Sequence, residues 1–143
     1  MKLNNIFVII ILLLSSCDIY VEWDSDKYPP IGIDTVMVMG DWKFRVNRYY
    51  DTNIFDMEYP KNSGHLTAHL LSDVDVNCRK NNKVYILSQY GYAVVNEEDD
   101  TCLLYIAEEK PLFDAFRSYE QGLTFLNTYE EFNREDKKSL KRF

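Results

Sequence analysis

Two histidines, His65 and His69, stand four positions apart and are the first residues of this chain whose type and spacing could do chemistry. On one helical turn, that spacing lets two imidazoles share a zinc ion. The stretch His65-Leu66-Thr67-Ala68-His69 lacks the glutamate that supplies the base in zinc proteases, and its alternation reads as a strand. Along a strand the two rings would lie roughly 13 Å apart on one face, so both are expected as solvent-facing residues. The run Glu97-Glu98-Asp99-Asp100 offers oxygen ligands for a hard cation. It has neither the glycine nor the alternating ligand spacing of a calcium loop, and is expected as a solvated hairpin turn. Asp73 and Asp75 could share a strand face as a carboxylate pair. Nothing beside them would raise one pKa and hold the other low, as acid–base catalysis requires. The sequence contains no Gly-x-Ser-x-Gly elbow and no Cys-x-x-Cys pair. No catalytic residue, metal ligand or cofactor site is assigned, and the chain is read as non-enzymatic.

More specific chemistry lies at the amino end. Met1-Lys2-Leu3-Asn4-Asn5 precedes an apolar run from Ile6 to Leu14, then Ser15-Ser16-Cys17. Nine apolar residues fall far short of the roughly 20 that a spanning helix needs, so the run reads as the core of an export signal. Leu14-Ser15-Ser16-Cys17 resembles the lipobox of bacterial lipoproteins. The resemblance implies that residues 1–16 are removed as a signal peptide and that Cys17 is acylated on its sulfur and new amino terminus. It also implies a lipid anchor in the cell membrane, with the chain facing the periplasm or the cell exterior. Asp18, directly after the acylated position, resembles the inner-membrane retention signal of enteric-type bacteria. Further on, Asn82 to Leu87 followed by Gly91 to Asn96 resembles strand pairs in domains of small bacterial lipoproteins. That likeness carries no functional residue across.

Removal of residues 1–16 leaves 127 of the 143 residues, one domain's worth, and the loss of Lys2 takes the formal charge from −7 to −8. An acidic surface works against nucleic acid, whose phosphates call for Lys and Arg, and equally against adsorption to anionic lipid. Membrane attachment then rests on the acyl chains. From Cys17 to about Gly32 the chain is acidic, contains Pro29-Pro30 and shows no periodicity. It is expected as a tether to a single globular domain over residues 33–143.

The domain must be built mainly from strands. Ile33 to Met39 is a β-branched and methionine run, Trp42, Phe44 and Val46 alternate with Lys43, Arg45 and Asn47, and Ile54 to Tyr59 is a weaker strand. Leu66, Ala68, Leu70, Val74, Val76 and Cys78 share one face of the next stretch. Lys83 to Gln89, Tyr92 to Asn96 and Thr101 to Ala107 follow, joined by polar hairpin turns. As a four-stranded meander, these set Val76 opposite Ile86, Ile86 opposite Val95 and Val95 opposite Cys102, with Cys78 beside Val84, all on one core face with Ala93, Leu104 and Ile106.

Cys78 and Cys102, an even pair in an oxidising compartment, favour a disulfide. The meander sets them about 14 Å apart where a bridge needs about 4.4–6.8 Å. Either the sheet curls or reorders, or both are buried thiols. At the carboxyl end, Pro111 opens a helical pattern through Leu112, Phe113, Phe116 and Tyr119, closed by Gly122. A second begins at Thr128 with Glu131 as a capping box and runs through Tyr129, Phe132, Asp136, Leu140 and Phe143, its stripe interrupted by the aspartate. The expected fold class is α+β: a mostly antiparallel sheet of about six or seven strands, with two carboxyl-terminal helices packed against it. A small curled barrel is the alternative.

Phe, Trp and Tyr make up 15% of the chain, with eleven tyrosines. Tyr85, Tyr92 and Tyr105 fall on the meander face opposite the core, with Tyr92 facing Tyr105. They form either an aromatic recognition face for a partner or a second core layer beneath the helices. The function expected from these features is a membrane-anchored, non-catalytic protein-binding module of the cell envelope. Its sharpest form is an immunity protein that neutralises a toxin at the membrane. The alternatives are an accessory or structural subunit of an envelope complex, and a hydrolase whose site would gather His65 and His69 with carboxylates in a pocket.

Overall fold

The computed structural model describes residues 27–29, 32–63, 67–107 and 122–141. The two-residue alternation builds β1 (Thr35–Met39), β2 (Phe44–Tyr49), β3 (Thr52–Glu58) and β4 (Thr67–Leu71). After these come β5 (Asp75–Lys80), β6 (Lys83–Ser88), β7 (Gly91–Asn96), β8 (Thr101–Ile106) and β9 (Leu123–Leu126). Strands β1 to β4 form one antiparallel sheet in sequence order. Strands β5 to β9 form a second, antiparallel except that β9 runs parallel to β8.

The fold is therefore mostly β, with two sheets and 53% strand among the described residues, and it corrects the expected α+β arrangement of one sheet and two helices. The first expected helix, from Pro111, lies outside the described residues up to Gly122. The second is split. Tyr129–Glu131 is a single 3-10 turn, with the Glu131 carboxylate accepting from the backbone N–H groups of Asn127 and Thr128. Phe132 and Asn133 are extended. Asn133 Oδ1 then accepts from the Asp136 N–H at 2.8 Å and starts a seven-residue helix, α1 (Arg134–Leu140). The asparagine is the stronger cap because its short amide reaches the free N–H groups of the first turn.

One sheet becomes two because the stretch from Leu66 to Cys78 is not one strand. It breaks at Ser72 and Asp73, where Asp73 takes a left-handed backbone with φ 50°. Short polar residues tolerate that region, and the side chain fixes the corner by accepting from Thr52 Oγ1 and from Gln89 Nε2. Asp73 is thus a corner residue, and does not share a strand face with Asp75. Beyond the corner the chain enters the other sheet, and the two inner faces meet. Phe44, Val46, Phe55, Met57, Ala68 and Leu70 pack against Val84, Ile86, Ala93, Val95, Cys102, Leu104 and Leu123 in one buried cluster. Each fully buried Leu or Ile there contributes about 1.5–3 kcal/mol relative to exposure. At Gly91, a Cβ would stand 2.1 Å from the Tyr105 carbonyl oxygen of β8, so only glycine lets these strands meet.

The core face expected for the meander holds, with Val76 opposite Ile86 and Val95 opposite Cys102. Ile86 pairs with Ala93, not Val95, a slide of two residues that leaves the face unchanged. Cys78 does not follow. A bulge between Val76 and Cys78 puts Cys78 opposite Tyr85, on the outer face, while Cys102 stays in the core. An extra residue in one strand reverses the side-chain phase beyond it. Both cysteines are free. With opposite faces and three inter-strand steps between them, the expected Cys78–Cys102 disulfide does not form. Burial pushes the Cys102 thiol well above its ordinary pKa, so it packs as an unreactive apolar group.

The outer face of the second sheet is covered by the carboxyl-terminal unit. Tyr85, Val94, Leu126, Phe132 and Leu140 are buried together there, with Tyr92, Tyr105 and Tyr129 packed beside them.

Candidate functional site

The outer face of the first sheet is largely polar, and while Tyr49, Thr67 and His69 stay exposed, its charged groups on β2 and β3 are withdrawn from solvent. Arg45 and Tyr49 project from β2, Asp56 and Glu58 from β3, and Thr67 and His69 from β4. The register sets Arg45 opposite Asp56, Asp56 opposite His69, and Glu58 opposite Thr67. Arg45, Asp56 and Glu58 are nonetheless buried, Asp56 completely. Charged residues are buried this far only when paired or covered. Residues 27–29 contribute to the cover. The Pro29 carbonyl accepts from Arg45 Nη2, Lys61 N–H donates to the Lys27 carbonyl at 3.0 Å, and Tyr28 is buried. The end of the expected tether is thus part of the folded domain.

The polar atoms under this cover form a network. Asp56 Oδ1 lies 2.6 Å from His69 Nδ1, and Asp56 Oδ2 accepts from Asn47 Nδ2 at 2.7 Å. The Asn47 carbonyl oxygen accepts from Thr35 Oγ1 at 2.8 Å. Glu58 Oε2 accepts from Thr67 Oγ1 at 3.1 Å, while Glu58 Oε1 stands 3.7 Å from Arg45 Nη1, beyond hydrogen-bond reach. Arg45 Nε donates to the Trp42 carbonyl at 2.9 Å. Tyr49 caps the group, its ring edge-on to His69 at 5.7 Å. Between these residues and Asp34 lies an open recess of about 360 Å³, at the lower end of the size range of ligand pockets.

Burial raises the pKa of Asp56, opposed by its hydrogen bonds from Asn47 and His69. Burial also raises that of Glu58, opposed by Arg45. The folded chain therefore binds more protons than the unfolded one between the ordinary carboxylate range, about pH 4, and the raised values. Over that interval stability falls as pH rises, and above it this contribution is level. Thermal melts from pH 4 to 7 are expected to show that fall, and Asp56→Asn to flatten it. Equal slopes in the two proteins would show that Asp56 is not responsible.

Of the residues singled out in the sequence, His69 enters this network, whereas His65 lies outside the described residues, as does Cys17. Tyr92 and Tyr105 pair across strands as expected, with rings 6.5 Å apart and nearly parallel. Tyr129 lies 5.1 Å from Tyr92. Tyr85 is buried, and its hydroxyl donates to Asp136 Oδ1 at 2.9 Å, so the second-core-layer alternative describes it. Tyr92 and Tyr105 remain half-buried. The carboxylates of the Glu97–Asp100 turn act as structural acceptors. Asp100 Oδ1 takes the Asp41 N–H at 2.7 Å, and Glu97 Oε1 takes Arg79 Nη2 at 2.9 Å.

The grouping of Arg45, Asp56 and Glu58 was not anticipated. Its signal was present in the alternation of 44–49 and 54–58, where every outward position except Ile54 is charged or polar. Only the pairing of β2 with β3 and the cover from residues 27–29 turn those positions into a buried cluster. No protein-family model, curated protein or solved structure matches this chain.

Proposed function

We propose that the chain is a lipid-anchored protein of the bacterial cell envelope whose folded part is a non-catalytic protein-binding module. An immunity protein directed at a toxin is its sharpest form. The anchor rests on the Leu14-Ser15-Ser16-Cys17 junction. One observation carries the binding role: among the described residues, the exposed large hydrophobic residues are Ile33, Val36, Tyr49 and Tyr50, all within residues 33–50, and Tyr49 borders the recess. Clustered exposed apolar and tyrosine side chains are the composition of protein interfaces. A photo-crosslinking residue at the fully exposed Tyr50 is expected to capture one envelope protein in intact cells, and the same residue at Glu135 on α1 is not. Capture at neither position, or only at Glu135, would reject the reading. Co-purification at fixed stoichiometry would instead favour an accessory subunit of a complex.

A second reading, a hydrolase, is favoured by the Asp56–His69 hydrogen bond, which resembles the base half of a nucleophilic site. Against it, the nearby Thr35 and Thr67 hydroxyls donate to Asn47 and Glu58, not to the histidine. Loss of an ester- or amide-hydrolysing activity in His69→Ala would establish it.

A further inference from the structure

We infer that Tyr50, at the tip of the β2–β3 hairpin, is the anchor that enters an apolar, basic-rimmed pocket of the protein partner. The inference rests on the protein-binding reading above and names the residue and the partner surface that carry it.

The hairpin closes with Tyr49 opposite Thr52, which leaves Tyr50 and Asp51 as its two-residue loop. Tyr50 takes a left-handed backbone, with φ 53°. That region suits glycine and asparagine, and a bulky side chain there is strained. The β5–β6 hairpin meets the same demand with Asn81 and Asn82, at φ 51° and 59°, between the paired Lys80 and Lys83. Asp73 and Asp100 meet it at their own turns. Trp42, the other aromatic residue with a positive φ, is half-buried, and its carbonyl accepts from Arg45. Tyr50 is different. Its side chain is 99% exposed, so the fold recovers nothing from the ring to offset the backbone. Strain of this kind, unused by the fold itself, belongs at a site of function.

Around the tip the surface is apolar at its centre and acidic at its margin. The Asp34 carbonyl accepts from the Arg48 N–H at 2.8 Å, which sets Ile33 beside the Tyr49–Tyr50 end of β2. Ile33, Val36 and Tyr49 are all exposed there. Asp34, Asp51 and Asp73 are exposed as well, Asp73 being tied to the hairpin through Thr52, and against them stands Arg48. After burial, the carboxylates of Asp56, Glu58 and Asp34 each raise the Tyr49 phenol pKa, so the field beside the tip is negative. A tyrosine projecting alone from a hairpin fits a concavity, and its exposed apolar neighbours exclude water around the inserted ring. The acidic margin pairs with Lys or Arg at the rim of that concavity. The same charge works against an anionic lipid surface and against a second copy of this acidic chain.

The test places a photo-crosslinking residue at Ile33 of the full chain in intact cells and sequences the captured peptide. The chain with Tyr50 intact is expected to capture one envelope protein, through a segment that carries Lys or Arg beside apolar residues. Tyr50→Asn, which suits the left-handed turn, should lower the yield about tenfold or more, while the urea midpoint stays at or above that of the unsubstituted chain. Tyr50→Phe keeps the ring and should hold the yield within about threefold. Asp51→Lys should lower it about tenfold, and Glu135→Lys on α1 should leave it unchanged. Undiminished capture by Tyr50→Asn, or a lower urea midpoint in that variant, would overturn the anchor role and leave the binding module standing. Equal or greater capture by Asp51→Lys, or a captured segment rich in Asp and Glu, would overturn the basic rim. A crosslink to lipid or to a second copy of the chain would overturn the class of partner. No capture at Ile33 or at Tyr50 with the surface otherwise intact rejects the module and the anchor together.

Discussion

Asp136→Ala is expected to destabilise the folded domain by about 3 kcal/mol, the low end for removing one partner of a buried charge pair. The carboxylate is fully buried and accepts four hydrogen bonds from three side chains. Lys83 Nζ donates to its two oxygens at 2.9 and 3.2 Å, the Tyr85 hydroxyl at 2.9 Å, and the Asn133 amide at 2.7 Å. Its own N–H completes the cap on Asn133. One side chain thus joins α1 to β6. Without it, the Tyr85 hydroxyl lies buried and loses its acceptor, while Lys83, about a third exposed, recovers water. That recovery is why the low end of the range applies. Phe132 and Leu140 have no other seat than the outer face of the second sheet, so the carboxyl-terminal unit should loosen before the sandwich does. Urea unfolding followed by far-UV signal measures the loss. A second readout isolates the contact itself. Burial, and next the bond to Asp136, hold the Tyr85 phenol pKa up at about 12. Spectrophotometric titration of Asp136→Ala should show one tyrosine ionising closer to its ordinary value. Unchanged stability together with an unchanged titration would mean that α1 is not anchored this way.

The same aspartate shows where a one-dimensional pattern stops being informative. In sequence it interrupts an apolar stripe and makes the last helix look weakly attached, because Lys83 and Tyr85, which satisfy it, lie about fifty positions away. The meander was more legible. Short polar turns fix β6 to β8 within one hairpin of each other, so Tyr92 opposite Tyr105 and Val95 opposite Cys102 follow from local spacing. Two local departures undid the larger picture. Asp73, in a left-handed backbone conformation, redirects the chain between sheets while leaving the hydrophobic alternation almost unbroken, so a sheet change reads as a continuing strand. The bulge before Cys78 reverses its face, which no count of residues along β5 discloses without the pairing to Tyr85. At the recess, the charged outward residues Arg45, Asp56 and Glu58 were visible as such in the alternation. Their burial depends on Tyr28 and Pro29, taken from a stretch whose proline pair and charge read as tether.

Cys17→Ala should move the protein from the membrane fraction to the soluble fraction released by osmotic shock, an all-or-none change in location. Two or three acyl chains hold a protein durably where one does not, and on the proposed processing the chain would have little else to hold it. Its formal charge of −8 after loss of Lys2 opposes adsorption to anionic lipid, and no described helix is long and apolar enough to cross a membrane. Intact-mass measurement of the wild type should find acyl mass on the fragment beginning at Cys17, and none in the variant. Retention of Cys17→Ala in salt-washed membranes would remove the anchor from the account. The proposed anchor would also limit where the recess can act. Ten residue steps separate Cys17 from Lys27, and a fully extended chain covers no more than about 36 Å in ten residues. Lys27 is bound to the domain through Lys61, and Pro29, bound to Arg45, lines the recess. An acylated Cys17 would therefore hold the Arg45–Glu58 face within about one domain's width of the bilayer. On that reading a partner met there would itself have to reach the membrane surface, and lengthening the segment 18–26 should weaken its capture at Tyr50.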